Sequence, residues 1–255
     1  MKVKVLGCSG SEAPGHNPPG FLVNDVLMMD AGTITATLDI RAQVRITDIL
    51  ISHPHLDHVK GILFLADNII GRIKKPVNIH ALPQVIGAIK KHLMNNIIWP
   101  DFTKIPNSKN PVFVYKPFRP GQQLKINGLT VKAIPMNHPV PAVGFLVSDA
   151  RSSLLYSADT GPNSRLWKAA SAARNLKAVI VDTSFPDSYD AIAGVSGHFT
   201  PMQLHRDLEK ARMDTNLPIY IYHIKPAYEP KVVRDLRAMG RKNVKILKEG
   251  KTYQF

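Results

Sequence analysis

Three histidines and one aspartate lie within six consecutive positions of this chain, at His53, His55, Asp57 and His58. They directly follow the apolar segment 48–52, which predicts a buried strand. Three imidazoles and a carboxylate are costly to bury without a compensating partner. A strand that delivers these groups into one loop therefore predicts a metal site, and that site needs further ligands from elsewhere in the chain.

Several other apolar segments also lead into a residue that can bind metal. The residues concerned follow segments 131–134, 154–156, 179–181 and 219–222, and they are His138, Asp159, Asp182 and His223. Strand ends gather at one edge of the sheet in α/β folds. We therefore expect these side chains to meet the 53–58 cluster.

The spacing within the cluster suggests how the ligands divide between two ions. His53 and His55 are two residues apart, so in an extended segment both point the same way and can share one ion. His138 would complete the protein ligands of that ion.

Asp57 and His58 lie past a turn and can reach a second ion, which His223 would complete. Asp159 could bridge both ions. Nitrogen and carboxylate ligands suit zinc, with manganese or iron as alternatives. Two divalent ions roughly 3.5–4 Å apart would hold a water as hydroxide and polarise a phosphoryl or carbonyl oxygen.

The length and composition predict one globular domain spanning residues 1–255. The sequence has no run of eighteen apolar residues, and its N-terminus lacks the apolar region of a secretion signal, so we expect no membrane association. The single cysteine, Cys8, excludes an intrachain disulfide and favours a reducing, cytoplasmic location.

The chain is strongly basic, with a formal net charge of +14. Such a field attracts anions, so it favours a small anionic substrate and keeps nucleic acid open as a partner. The basic residues are scattered and form no dense block typical of a nucleic-acid-binding tail. A solubility charge spread over the surface is the alternative interpretation.

The order of predicted elements is strands first, then helices and strands in alternation, which is typical of an α/β layered domain with a mixed sheet. Segments 33–41 and 59–70 are predicted as helices. Segment 95–111 is predicted as a long irregular loop around Trp99 and Phe102, and it could serve as a lid or as a homodimer contact.

The motif His53-Pro-His-Leu-Asp-His58, followed in order by His138, Ser157-Ala-Asp159-Thr and His223, resembles the metallo-β-lactamase superfamily over nearly the whole chain. The resemblance implies an α/β fold, a four-layer αβ/βα sandwich with mixed sheets, and a dinuclear site at one edge. Within that superfamily, the extended motif through Gly61 resembles class II cyclic-nucleotide phosphodiesterases. Four further segments share that resemblance: Asp-Ala-Gly-Thr at 30–33, Trp-Pro-Asp-Phe at 99–102, Gly-His-Phe-Thr at 197–200 and His-Ile-Lys-Pro at 223–226.

Asp182 and His198 resemble the acid–histidine pair of phosphodiesterases in the superfamily, a group that includes tRNA 3′-processing endonucleases. The resemblance implies that the carboxylate orients the imidazole and that the imidazole protonates the leaving oxygen. Such a step suits a histidine paired with a carboxylate. A buried ion pair that only joins two loops is the alternative.

The leading hypothesis is a metal-dependent phosphodiesterase that hydrolyses 3′,5′-cyclic AMP or cyclic GMP to the nucleoside 5′-monophosphate. Asp57, Asp182 and His198 are the predicted catalytic residues. A tRNA 3′-processing endonuclease and a non-hydrolytic or cofactor-biosynthesis member of the superfamily are the alternatives. His16 could line the pocket and Lys225 could contact a phosphate, although a surface position would suit both side chains.

Overall fold

Two seven-stranded sheets form the centre of the computed structural model, which describes all of residues 1–255. Buried side chains of both sheets meet in one continuous core, as in the contact of the Phe21 ring with the Tyr156 ring at 5.0 Å between centroids. The two sheets therefore pack face to face and form the inner layers of a sandwich.

The first sheet has the strand order β14-β1-β2-β3-β4-β5-β6. Strands β14, β1, β2 and β3 pair antiparallel, and β3 to β6 pair parallel. The sheet is therefore mixed. Its strands are β1 (Lys2–Gly7), β2 (Gly20–Val23), β3 (Leu27–Met29), β4 (Asp48–Leu50), β5 (Val77–Ala81), β6 (Phe113–Pro117) and β14 (Thr252–Gln254).

The second sheet has the order β13-β12-β11-β10-β9-β8-β7 and is mixed in the same way. Strands β7 to β10 pair antiparallel, and β10 to β13 pair parallel. Its strands are β7 (Gln123–Ile126), β8 (Leu129–Pro135), β9 (Val143–Ser148), β10 (Ser153–Tyr156), β11 (Leu176–Asp182), β12 (Ile219–Tyr222) and β13 (Val244–Ile246).

Helices cover the outer faces of both sheets. A second core places buried residues of α5, α7 and α8 against the second sheet, and α3 and α4 bury apolar residues in the core of the first. The predicted four-layer sandwich is confirmed. The helices are α1 (Ile40–Val44), α2 (Leu56–Val59), α3 (Gly61–Ile69), α4 (Pro83–His92), α5 (Ser164–Ala172), α6 (Asp190–Ser196), α7 (Pro201–Lys210) and α8 (Glu229–Ala238).

The predicted helix over 33–41 is wrong, because the structure has turns there and begins α1 only at Ile40. The Asp39 side chain starts that helix by accepting a hydrogen bond of 2.8 Å from the Ala42 amide. The β-branched threonines at 33, 35 and 37 disfavour a helix over this segment. Helix α6 was not predicted from the sequence.

Segment 95–111 is irregular, as predicted, but its aromatic residues pack inward. The Trp99 indole donates to the Leu63 carbonyl at 3.1 Å, and its ring meets the Phe64 ring at 5.4 Å. Phe102 is buried. The apolar side chains that this loop exposes are instead those of Ile97 and Ile98.

None of the helices is both long and apolar enough to cross a membrane.

Candidate metal centre and active site

The loop after β4 carries the cluster found in the sequence. His53 and His58 are buried, Asp57 is 30% exposed at its side chain, and helix α2 begins directly after His55. Backbone from another loop must approach this turn closely. A Cβ atom at Gly32 would collide with the Asp57 carbonyl oxygen, so only glycine fits there.

Four of the predicted ligands form the first cluster: His53, His55, His138 and Asp159, whose candidate ligand atoms all lie within 4.8 Å of one another. The His138 Nε2 atom is 3.3 Å from His55 Nδ1, and the His53 Nε2 atom is 3.6 Å from Asp159 Oδ2. Residues from β4, β8 and β10 thus converge, as the strand-end pattern predicted.

Asp57, His58 and His223 form the second cluster. The His223 Nε2 atom is 3.4 Å from Asp57 Oδ2 and 3.4 Å from His58 Nε2. Asp159 lies between the two clusters, with Oδ1 3.3 Å from His58 Nε2 and Oδ2 3.3 Å from His223 Nε2. This arrangement matches the predicted division of ligands, and their role as metal ligands stays a prediction.

Hydrogen bonds that involve Asp30 and Ser52 identify which ring nitrogens of His53 and His58 face the ligand clusters. His58 Nδ1 is 2.8 Å from Asp30 Oδ2, so this nitrogen must be the donor. The Ser52 hydroxyl donates to the same oxygen at 2.8 Å, so its own oxygen accepts from His53 Nδ1 at 2.9 Å. In the neutral rings, Nε2 of both histidines then carries an unshared lone pair.

The same inference holds for the histidines of the second sheet. His138 Nδ1 donates to the Gly197 carbonyl at 3.0 Å. The Ser184 hydroxyl donates to Asp182 Oδ1 at 2.7 Å and therefore accepts from His223 Nδ1 at 2.8 Å. The Nε2 atoms of His138 and His223 are again left with lone pairs directed into the clusters.

The environment of these lone pairs shows whether the residues present can accommodate a metal ion. His53 Nε2 is buried without any hydrogen-bond partner, and the Nε2 atoms of His58 and His223 face each other at 3.4 Å. Without a cation such an arrangement is unfavourable. Divalent cations suit this set of imidazole nitrogens and carboxylate oxygens. The residues present therefore fit a metal centre.

The charges point the same way. Burial alone would lower the pKa of His58, but the Asp159 and Asp30 carboxylates outweigh it and raise that pKa well above the usual value. Burial likewise opposes the charge on Asp159, yet the neighbouring His223 and His58 hold the pKa of Asp159 well below its usual value. The site thus keeps Asp159 ionised and favours positive charge beside it.

Asp30 is a site residue that the ligand pattern did not identify. It is fully buried and also accepts from the Ser52 amide at 2.8 Å and the Tyr156 hydroxyl at 2.6 Å. The Tyr222 hydroxyl likewise donates a hydrogen bond to Asp159 Oδ1 at 3.1 Å. The only sequence signal for Asp30 was its place in the Asp-Ala-Gly-Thr segment. No sequence signal identified Ser52, Ser184 or Tyr222 as site residues.

Asp182 and His198 form the predicted pair. His198 Nδ1 is 2.7 Å from Asp182 Oδ2 and donates to it, which leaves Nε2 free. The His198 ring stacks on His223 at 5.2 Å between centroids and is 5.3 Å from the His138 ring. Burial would lower the pKa of His198, but the Asp182 carboxylate outweighs it and raises that pKa.

A glycine turn holds the histidine of this pair in place. Gly197 follows α6 with φ of +67°, and a Cβ atom there would be 2.7 Å from Pro139 Cδ and 3.0 Å from His138 Cα. The loop before His198 therefore packs directly against the loop that carries His138. Any larger residue at 197 would be strained and would separate the two loops.

Lys225 and His16 lie at the edge of the site. The Lys225 ammonium donates to the Gly10 carbonyl at 3.1 Å and lies over the Phe185 ring at 5.4 Å, so it is not simply a solvated surface lysine. His16 is half-buried beside the Ser9 hydroxyl at 3.4 Å and Glu229 at 3.8 Å. It belongs to neither ligand cluster.

A cleft of about 230 Å³ opens beside the Asp57 loop. Gly32, whose backbone contacts Asp57, forms part of its wall, and the half-exposed Phe64 ring forms another. Lys60 and Glu12 form an ion pair at this cleft. The cleft thus combines an aromatic face with polar and charged groups.

The chain is similar in sequence and fold to proteins of known class. Residues 30–250 match the family described as cAMP phosphodiesterases class-II. A probable 3′,5′-cyclic-nucleotide phosphodiesterase of Yersinia pestis is 27% identical over 278 aligned residues, which cover 90% of this chain and 79% of that protein.

Two solved structures share the fold. Unliganded yeast PDE1 superposes with a TM-score of 0.82 at 18% identity, covering 98% of each chain. The metallo-β-lactamase fold protein YhfI from Bacillus subtilis superposes with a TM-score of 0.76 at 19% identity, covering 99% of each chain. The match to the family model over most of the sequence, together with this fold, establishes that the chain belongs to the class-II cAMP phosphodiesterase family and has the metallo-β-lactamase fold.

Proposed function

We propose that this protein hydrolyses 3′,5′-cyclic nucleotides to nucleoside 5′-monophosphates with two bound divalent ions. The observation that carries the proposal is the Asp182–His198 pair, which lies directly beside the His/Asp clusters in a chain of this family. Cleavage of a phosphodiester bond releases an alkoxide, which needs a proton, and the pair is suited to supply one.

His53, His55 and His138 would hold one ion, Asp57, His58 and His223 would hold the other, and Asp159 would contact both. We propose zinc for both positions because of the nitrogen-rich ligand set, with manganese or iron as substitutes. When bound, such ions polarise a phosphoryl oxygen and lower the pKa of a coordinated water.

The protein's own residues then provide orientation and a proton. Asp182 accepts from His198 Nδ1 and from the Ser184 hydroxyl, so the imidazole is fixed with its Nε2 atom available. In the proposed step, Nε2–H of the protonated His198 donates to the departing 3′ oxygen. The raised pKa of His198 keeps the ring protonated to a higher pH than an isolated histidine would reach.

The cleft beside Asp57 would receive the nucleoside. Its Phe64 ring offers a face for a base, and the Glu12–Lys60 pair and Asn17 offer hydrogen-bonding groups. A base bound there would leave the phosphate next to the second ligand cluster.

We also propose a cytoplasmic location, because the one cysteine, Cys8, fits a reducing compartment. A homodimer is a further proposal. The exposed Ile97 and Ile98 in the loop that contains Trp99 are the surface for it, since adjacent exposed apolar side chains favour association.

The test is a substrate screen with the metal content measured on the same sample. We expect cyclic AMP or cyclic GMP to be converted to the 5′-monophosphate, with two equivalents of metal bound. Precursor tRNA, cyclic dinucleotides and bis(p-nitrophenyl) phosphate are assayed beside them, and His55→Ala serves as the inactive control.

Each other outcome has a defined meaning. Faster cleavage of precursor tRNA than of any cyclic nucleotide would replace the proposal with the endonuclease alternative. Absence of hydrolysis of every phosphodiester in the metal-loaded protein would replace it with the non-hydrolytic alternative. Formation of the 3′-monophosphate would refute the assigned leaving group.

A further inference from the structure

A second concave surface lies away from the ligand clusters, where the edge strands β13 and β14 of the two sheets approach each other beside helix α8. It is a groove of about 690 Å³, within the size range of small-molecule sites. None of the predicted ligands or catalytic residues lines it. We refer to it as the β13–β14 groove.

All the charged side chains that line the β13–β14 groove are basic. Its charged residues number five, none of them acidic: Arg237, Arg241, Lys242, Lys245 and Lys248. None of these side chains forms an ion pair within the protein. The Nε–H of Arg241 is moreover shielded from solvent without any hydrogen-bond partner. This surface therefore repels cations and attracts anions.

Protection of the sheet edge explains only part of this charge. A lysine on an edge strand prevents pairing with another chain, which accounts for Lys245 on β13. Arg237 lies on α8, Arg241 and Lys242 lie in the loop before β13, and Lys248 follows that strand. Cations from the consecutive elements within residues 237–248 thus line one concavity, and edge protection does not require those outside β13.

Aromatic rings form the other part of the groove. Tyr220 and Tyr253 line it, with their ring centroids 5.1 Å apart, and Phe255 packs behind them at 5.9 Å from each. Both tyrosines are only half-buried. A planar, aromatic ligand can stack on such a ring, and stacking of bases on aromatic side chains is favourable whatever the base.

We propose that the β13–β14 groove binds a nucleoside polyphosphate, with its base against Tyr253 and its phosphates among the lysines and arginines. Clustered cations suit several adjacent phosphates, and arginine binds phosphate oxygens through two parallel hydrogen bonds. The groove volume of about 690 Å³ suits one nucleotide, and single-stranded nucleic acid is the alternative that the test distinguishes. This site is separate from the catalytic centre and does not depend on the proposed cyclic-nucleotide hydrolysis.

The test is the binding of a ribose-labelled fluorescent ATP to the full-length protein as purified, followed by anisotropy and by competition with unlabelled ATP. We expect Lys242→Glu/Lys245→Glu to weaken binding about tenfold or more, because it reverses two phosphate-facing charges. Lys74→Glu/Lys75→Glu is the matched control, since it reverses two exposed lysines elsewhere and changes the net charge equally. It should change the affinity less than about twofold.

A second variant separates stacking from charge. Tyr253→Ala should lower the affinity for ATP several-fold and leave the competition by inorganic tripolyphosphate unchanged. Photocrosslinking with 8-azido-ATP should label peptides from 220 and 237–253. All of these variants should retain wild-type hydrolysis of cyclic AMP.

Three results would overturn the proposal. The first is no competition by ATP, and the second is an equal loss of affinity in the groove variant and the control. The third is tighter binding of a single-stranded oligouridylate than of ATP, which would identify the groove as a nucleic-acid surface.

Discussion

The two sheets contribute to the active site in different ways. The first sheet supplies His53, His55, Asp57 and His58 from one loop of six residues, supported from behind by Asp30. The second sheet supplies single residues from separate strand ends and loops: His138, Asp159, Asp182, His198 and His223. The first half is local in sequence, and the second exists only once β8 to β12 are assembled.

In the proposed function, both sheets contribute metal ligands, but only the second contributes the proton donor. In that proposal, the loop of the first sheet provides metal ligands, and the proton for the leaving oxygen comes from the second sheet. The second sheet completes both ligand clusters and adds the Asp182–His198 pair beside them. We therefore expect variants of the first half to lose metal and variants of the pair to lose rate while keeping metal.

The largest effect is expected from the loop of the first sheet. His55→Ala or Asp57→Ala should reduce hydrolysis to background and lower the bound metal, because each removes a ligand from a different cluster. Metal analysis and activity on the same preparation measure both. His92→Ala, an exposed histidine of α4, is the control and should behave as wild type. Full metal content in both loop variants would contradict the ligand assignment.

The next effect concerns the pair of the second sheet. His198→Ala should keep both the fold and the bound metal but lower the rate on cyclic AMP by roughly 10²–10⁴-fold, the usual range for a general acid. His205→Ala on α7, whose partner is the exposed Glu209, is the control. A His198→Ala protein that lost its metal would show that the histidine is a ligand, and full activity would eliminate its role.

Asp30→Asn tests the support behind the first sheet's loop. The carboxylate fixes His58 and, through Ser52, His53, so its replacement should lower metal affinity about 10–100-fold. Added metal should then restore much of the activity. Competition with a metallochromic chelator measures the affinity, with the exposed Asp67→Asn as control. An unchanged metal affinity would mean that Asp30 stabilises the buried core and does not support the metal ligands.

The smallest effect is expected in the cleft beside Asp57. Phe64→Ala should raise KM for cyclic AMP about fivefold with little change in kcat, because a half-exposed ring contributes only part of a full stacking interaction. Ile97→Ala, which also truncates an exposed apolar side chain, is the control. A change in kcat without a change in KM would place the base elsewhere.

The sequence predicted the first half of the site better than the second for a physical reason. Adjacent residues in one loop share a location whatever the fold, so the 53–58 motif alone indicated metal. For His138, Asp159 and His223 the strand-end pattern and the family resemblance were both needed, because the positions of these residues depend on pairing between distant strands. Asp182 also follows such an apolar segment, but His198 and its pairing with Asp182 were identified by resemblance alone.

Other features had little or no local signal in the sequence. Asp30 lies in a positive-φ turn and acts through Ser52 and His58, so its role is visible only in the assembled core. The helix expected at 33–41 is wrong because three β-branched threonines lower the helix propensity of the segment, and Asp39 caps a helix that begins only at Ile40. The four-layer sandwich itself was predicted from the motif resemblance, and strand alternation alone indicated only a mixed α/β domain.

Comparison of two substrates in one variant tests the role of the second sheet most directly. We would measure kcat/KM of His198→Ala on cyclic AMP and on bis(p-nitrophenyl) phosphate, whose nitrophenolate departs without needing a proton. We expect a loss of roughly 10²–10⁴-fold on cyclic AMP and less than about tenfold on the nitrophenyl ester. An equal loss on both substrates would contradict proton donation by His198.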